Sequence, residues 1–132
     1  MRVELTVIEL VVHDMRSSLD FYRALGLDIP DTANTEPHVE YVLPGGVKLA
    51  WDTEETIRSF HGEGWRAPGK GAGRISLAFQ ADSPAGVDAA YTDLVGRGHE
   101  SELAPFDAPW GQRYAVVRDP DGNGVDLFAP LV

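Results

Sequence analysis

Residues 7 to 27 read Val7-Ile-Glu-Leu-Val-Val-His-Asp-Met-Arg-Ser-Ser-Leu-Asp-Phe-Tyr-Arg-Ala-Leu-Gly-Leu27, and residues 74 to 98 read Arg74-Ile-Ser-Leu-Ala-Phe-Gln-Ala-Asp-Ser-Pro-Ala-Gly-Val-Asp-Ala-Ala-Tyr-Thr-Asp-Leu-Val-Gly-Arg-Gly98. Each stretch is an alternating apolar run, then an Asp, then a helix-like segment closed by Gly. Asp14 and Asp82 stand 68 positions apart in a chain of 132 residues. A half-length repeat of this kind predicts two similar α+β halves, with a ligand space between two sheets.

Outward from these stretches, residues 3 to 12 alternate and are rich in Val, Ile and Leu, which predicts a strand. Asp14 is placed to cap a helix over 15–25, with Leu19, Tyr22 and Leu25 as its apolar face and Gly26 as its stop. Residues 30–37 read as a loop. Residues 38–43 and 47–51 read as strands joined by the turn Pro44-Gly45-Gly46. Residues 52–73 allow one helical turn and are otherwise a Gly-rich connection carrying Phe60 and Trp65. In the second half a strand is expected over 73–80. A helix follows, capped by Ser83 with Pro84 at its first position and ending at Gly96 or Gly98. Residues 99–103 read as a strand, 106–110 as a loop, 113–118 as a strand, 119–122 as a tight turn, and 124–128 as the last strand. The order expected is β-α-β-β-β, twice.

Composition narrows the function classes. No Cys is present, which excludes disulfides, thiolate metal sites and cysteine nucleophiles. With 43% hydrophobic residues the chain can bury a core, at the size of one ordinary domain. No apolar run is long enough to span a bilayer, and the N-terminal residues lack a signal-like apolar region, so a cytoplasmic, non-membrane protein is expected. The formal net charge of −10 opposes a phosphate backbone and argues against nucleic acid as a partner.

Three segments carry a resemblance: Asp14-Met15-Arg16-Ser17-Ser18-Leu19-Asp20-Phe21-Tyr22, Gly26-Leu27, and Arg118-Asp119-Pro120-Asp121-Gly122-Asn123-Gly124-Val125-Asp126-Leu127. With the layout around them they resemble the vicinal oxygen chelate superfamily, which includes glyoxalases, bleomycin-resistance proteins and extradiol dioxygenases. The resemblance implies two tandem βαβββ modules (about 1–57 and 73–132, joined by a loop over 58–72), forming a half-open mixed sheet that lines a cleft. It also implies a homodimer. Metal-dependent members place four ligands on inward strand positions. Carried onto this chain, those positions fall on Val7, Lys48, Arg74 and Asp126. Only Asp126 could hold a divalent cation, so no metal or other cofactor is expected.

Because strand side chains alternate between faces, the same positions predict which others face the cleft. Glu9 and Val11 follow Val7, Ala50 follows Lys48, Ser76 and Ala78 follow Arg74, and Phe128 follows Asp126. The expected ligand-binding set is therefore Glu9, Lys48, Ala50, Arg74, Ser76, Asp126 and Phe128. Trp65 and Trp110 join it as aromatic loop residues suited to stacking. Glu9 and Asp126 are the candidate catalytic groups. Among the histidines, His38 and His61 are placed to act as bases, whereas His13 and His99 read as structural or exposed. Asp119-x-Asp121-x-Asn123-Gly124 mimics the start of a calcium loop. Position twelve is Pro130 rather than Glu, and a turn accounts for the segment. The reading that follows is a metal-free protein binding a small organic molecule, such as an antibiotic or toxic metabolite. The alternatives are a lyase, isomerase or dioxygenase of the same superfamily, and a dimer with a vestigial cavity.

Overall fold

A side-chain oxygen in the right place starts each long helix of this protein. The computed structural model describes residues 1–71 and 74–132, in two units, Met1–Pro68 and Gly69–Val132. In the first unit the alternating run becomes β1 (Val7–Val12). Asp14, in extended backbone, accepts the Ser17 N–H at 3.1 Å and opens α1 (Met15–Ala24). Gly26 takes φ 106°, which favours glycine, and ends the helix. After a 3-10 turn at Asp31–Thr35 come β2 (His38–Val42), β3 (Lys48–Thr53) and α2 (Glu54–His61). β1 runs parallel to β3 and β2 antiparallel to it, giving the order β1-β3-β2.

One face of this sheet lies against α1. Phe21, Tyr22 and Trp51 are fully buried there, with ring centroids 5.0 Å apart for Phe21–Tyr22 and 5.5 Å for Tyr22–Trp51, both edge-on. Such contacts add about 0.5–1.5 kcal/mol each to the burial of the rings.

The second unit repeats the plan in full: β4 (Ser76–Gln80), α3 (Pro84–Gly96), β5 (Ser101–Ala108), β6 (Gln112–Arg118) and β7 (Gly124–Pro130), in the order β4-β7-β6-β5. Ser83 caps α3 by accepting the Gly86 N–H at 3.1 Å, with Pro84 opening the helix. Val87 and Leu94 of α3 are fully buried, as are Val117, Val125 and Ala129 of the sheet.

Four expectations need correction. The first unit has three strands rather than four, since residues 31–35 form a 3-10 turn where the second unit has β5. Residues 3–6 precede β1 and are exposed. The stretch after Trp51 is not mainly loop: β3 continues to Thr53, whose hydroxyl accepts the Thr56 N–H at 3.1 Å and starts a two-turn helix. Phe106 lies inside β5, which absorbs Pro105 through register shifts. An edge strand tolerates a proline because its outer N–H has no ladder partner. The expected strand start at Gly73 and loop end at Ala72 lie outside the described residues.

Candidate functional site

β7 alternates cleanly: Val125, Leu127 and Ala129 are buried beside α3, and Asp126 and Phe128 face the other way. The turn before it fixes what stands beside them. The Asp119 carboxylate accepts the backbone N–H groups of Asp121 and Asn123 and the Asn123 side-chain amide, each at 2.9 Å. The calcium-like segment is thus a turn whose aspartate holds its own amides. From this turn the hairpin pairs Arg118 with Gly124, Val116 with Asp126 and Tyr114 with Phe128. On the other side β4 pairs Ser76 with Gly124 and Ala78 with Asp126.

Three side chains of one face therefore converge. The Tyr114 hydroxyl donates to Asp126 Oδ2 at 2.6 Å, and the Ser76 hydroxyl donates to the same oxygen at 3.3 Å. Both bonds fall on Oδ2, so Oδ1 keeps its capacity to accept. Burial, with the hydrogen bond to Asp126 and the charges of Asp126 and Glu102, pushes the Tyr114 hydroxyl up to about 12. It is a fixed donor at neutral pH. A pocket of about 220 Å³ opens over this group, and its walls include Glu102, Arg118 and Val116. Arg118 pairs with Glu102 and also donates to the Gly122 carbonyl at 3.3 Å. Beyond Tyr114, the rings of Phe106 and Trp110 meet it edge-on at 6.2 and 5.3 Å. Trp110 is 58% exposed and donates its indole N–H to Gln112 at 2.8 Å.

The first unit carries a different set on its equivalent face. Asp52, 6% exposed, bonds His38 Nδ1 at 2.6 Å, and His38 Nε2 meets Glu40 at 2.8 Å. Lys48 closes the chain on Glu40 at 3.1 Å. Glu9 hydrogen-bonds Asp52, and its carboxyl is raised by burial and by that neighbour. The neighbouring Asp52 charge disfavours ionisation of Glu9. His38 lies between two carboxylates, whose hydrogen bonds raise it against a smaller opposing effect of burial. Its protonated form donates from both nitrogens, so it serves as a bridge rather than as the free base expected of it.

The structure divides the expected ligand set. Ser76, Asp126 and Phe128 share the second unit's face, and Glu9, Lys48 and Ala50 share the first unit's. Arg74 stands before β4, exposed and in none of the ion pairs among the described residues. Trp65 lies under the guanidinium of Arg58, 5.3 Å from its ring centre. His61 is exposed at the end of α2, and His13 pairs with Glu54 at 2.9 Å. The sequence pattern does not predict Tyr114, Arg118, Glu102, Glu40 and Asp52 as members of these faces. Counting the hairpin register outward from the 119–123 turn would have found Tyr114.

Register also moves two of the four metal-ligand positions. Val7 and Ser76 each stand seven residues before their capping residues, Asp14 and Ser83, and each opens its strand pairing, opposite Lys48 and Gly124. Ser76 is therefore the counterpart of Val7, rather than Arg74. Likewise Glu9 pairs with Ala50 as Ala78 pairs with Asp126, so Ala50 rather than Lys48 is the counterpart of Asp126. The four are Val7, Ala50, Ser76 and Asp126. One carboxylate and one hydroxyl do not make a divalent site. Among the described residues no group of three or more His, Asp or Glu is arranged to hold a metal ion.

Two α+β units built on one plan, each presenting a polar sheet face, define a tandem-module α+β protein. Residues 4–127 match the model of the Glyoxalase/Bleomycin resistance protein/Dioxygenase superfamily, and the chain belongs to that superfamily. It is 32% identical to the uncharacterized protein YraH of Bacillus subtilis (strain 168), over 98% of this chain and all of that one. A glyoxalase/bleomycin resistance protein/dioxygenase from Nocardioides is similar in structure, with 32% identity, a TM-score of 0.70, and coverage of 99% of this chain and 85% of that one. A glyoxalase-related enzyme from Fulvimarina pelagi shares the fold at a TM-score of 0.78 and 24% identity, over 96% of this chain and 87% of its own. No helix among the described residues is long and apolar enough to cross a membrane.

Proposed function

We propose that this protein binds a small organic molecule, without a metal, on the second unit's sheet face around Asp126. The observation that carries this reading is a carboxylate oriented by the Tyr114 and Ser76 hydroxyls at the wall of a pocket of about 220 Å³. A fixed carboxylate accepts from a ligand hydroxyl or N–H, and the rings of Trp110 and Tyr114 offer apolar edges beside it. The superfamily's ligand positions hold Val7 and Ala50, which have no side-chain donor, and this favours direct binding without a metal.

A thermal-shift and calorimetric screen of small organic compounds tests this. A ligand found on the native protein should bind Asp126→Asn about tenfold more weakly, because a hydrogen bond to a charged acceptor is stronger than one to a neutral amide. Unchanged affinity in that variant, or stoichiometric metal in the purified protein, overturns the reading. Turnover by metal-free acid–base chemistry is the second reading, favoured by the Glu9–Asp52 carboxyl pair. It requires product formation that Glu9→Gln abolishes. The superfamily resemblance further leads us to expect a homodimer, which light scattering checks.

A further inference from the structure

The missing fourth strand of the first unit leaves a space with its own chemistry. In the second unit β5 pairs along the outer edge of β6. In the first, the chain from Asp28 to Glu36 stands off from β2 and leaves a groove of about 280 Å³. The far wall is built firmly. Arg23 of α1 donates from Nε to the Ile29 carbonyl at 2.7 Å and from Nη2 to the Pro30 carbonyl at 2.8 Å. The 3-10 turn follows, with Ala33 N–H on Pro30 and Glu36 N–H on Ala33, each at 3.0 Å.

The lining is two-sided. Ile29 and Val39, 6% and 8% exposed, give it apolar surface, with Tyr41 beside them. The polar walls carry Asp28, Glu36 and Glu40, with His38. Nearby cations are already engaged: Lys48 and His38 on Glu40, and Arg23 on Asp20 and the two carbonyls. Asp28 and Glu36 take part in none of the ion pairs among the described residues. An apolar lining under two unneutralised carboxylates suits a molecule with a small hydrocarbon body and a positive end. The volume falls just under the ~300 Å³ at which small-molecule sites begin, so the body must be compact.

We propose that this groove is a second ligand site, which takes a compact organic cation bearing a primary ammonium group. The ammonium would lie between the Asp28 and Glu36 carboxylates, and the hydrocarbon part against Ile29, Val39 and Tyr41. This site is independent of the one around Asp126.

Calorimetry at neutral pH with phenethylamine, 2-phenylethanol and phenylacetate tests the proposal, since the three probes share a body and differ in charge. Phenethylamine should bind at least tenfold more tightly than the alcohol, and phenylacetate more weakly still. The double variant Asp28→Asn/Glu36→Gln should weaken phenethylamine about tenfold, as expected for two partly exposed ion pairs. Thr32→Trp, which fills the groove without changing charge, should weaken it at least as much. Asp126→Asn should leave it unchanged. Failure of the amine to bind, equal binding of amine and alcohol, or binding that survives the double variant overturns the proposal. Loss in Asp126→Asn instead overturns it by moving the amine to the second unit. Asp28, Thr32 and Glu36 are exposed; should Thr32→Trp disturb folding, the double variant decides alone.

Discussion

At Asp126 two hydroxyls share one carboxylate oxygen, and the cost of that arrangement falls on Tyr114. A phenol beside a carboxylate resists ionisation, because a second negative charge would face the first. Tyr114, pushed up to about 12, should therefore ionise only in strong alkali. Absorbance at 295 nm should show a tyrosinate step near pH 12 that is missing in Tyr114→Phe. The same variant should lose about 1–2 kcal/mol in urea unfolding, since the half-buried carboxylate keeps only the longer Ser76 bond. His38 gives the opposite kind of test. Hydrogen bonds to Glu40 and Asp52 raise it, so the folded state holds its proton more tightly than the unfolded chain. That stabilisation is complete below the ordinary histidine value and is lost as pH rises through the raised one. Glu9 is raised too, and its share is lost earlier, as pH climbs through the carboxylate range. Glu40, lowered by its bonds to His38 and Lys48, works in the other direction and loses its share only as pH falls through its depressed value. An NMR titration should place the His38 midpoint above 6.5, and His38→Gln should flatten the decline in stability between pH 6 and 8. A midpoint at or below 6.5 would show that the bridge does not form in solution.

The elements show where the sequence was legible and where it was not. The caps of α1 and α3 could be read in advance, because Asp14 and Ser83 are local signals acting on amides three residues ahead. So could the turn at 119–123, for the same reason. The absent strand was legible only in part: residues 30–37 read as a loop, yet the repeat predicted a fourth strand. Residues 31–35, Asp-Thr-Ala-Asn-Thr, are turn-prone by themselves, yet whether a fourth strand pairs with β2 is decided by contacts distant in sequence. One of those is Arg23, buried enough at 17% side-chain exposure to hold the Ile29 and Pro30 carbonyls. Nothing in the local pattern marks an arginine of α1 as the anchor of a loop. The site was legible by alternation but not by register. Parity placed Glu9, Ala50, Ser76, Asp126 and Phe128 on the polar faces, whereas choosing between Lys48 and Ala50, or Arg74 and Ser76, required knowing the pairing opposite each residue. Arg23 offers the check at this scale. Arg23→Lys keeps the charge but loses the planar fork that reaches two carbonyls at once. It should cost about 1–2 kcal/mol in urea unfolding. Hydrogen exchange should also quicken at the Ala33 and Glu36 amides, while those of β7 keep their protection. A loss of protection spread over both units would mean that Arg23 supports more than the loop.

For the whole molecule, charge is the property that no single site explains. Acidic residues outnumber basic ones by twelve to six up to Pro68 and by nine to five beyond it, so each unit is negative by itself. The field that would draw an ammonium ligand also works against folding, since like charges are closer in the folded chain than in the unfolded one. Some of the charge is well spent. Arg113 pairs with Asp88 at 2.9 Å and with Asp107 at 3.0 Å, and hydrogen bonds to both raise it further. Salt weakens such attractions and the general repulsion together, so the sign of its effect reports which is larger. Partly exposed pairs contribute up to about 1 kcal/mol each and often nothing. A net charge of −10 acts over every acidic group at once. Repulsion should therefore dominate, and raising sodium chloride from 20 mM to 0.5 M should raise the melting temperature by several degrees. Most of the gain should come below 0.2 M, where the screening length has already fallen to about 8 Å. Potassium chloride should act equally, because the effect depends on ionic strength and not on a bound ion. A melting temperature that falls over this range would mean that fixed pairs such as Arg113 with Asp88 and Asp107 outweigh the repulsion, and that the acidic surface costs the fold little.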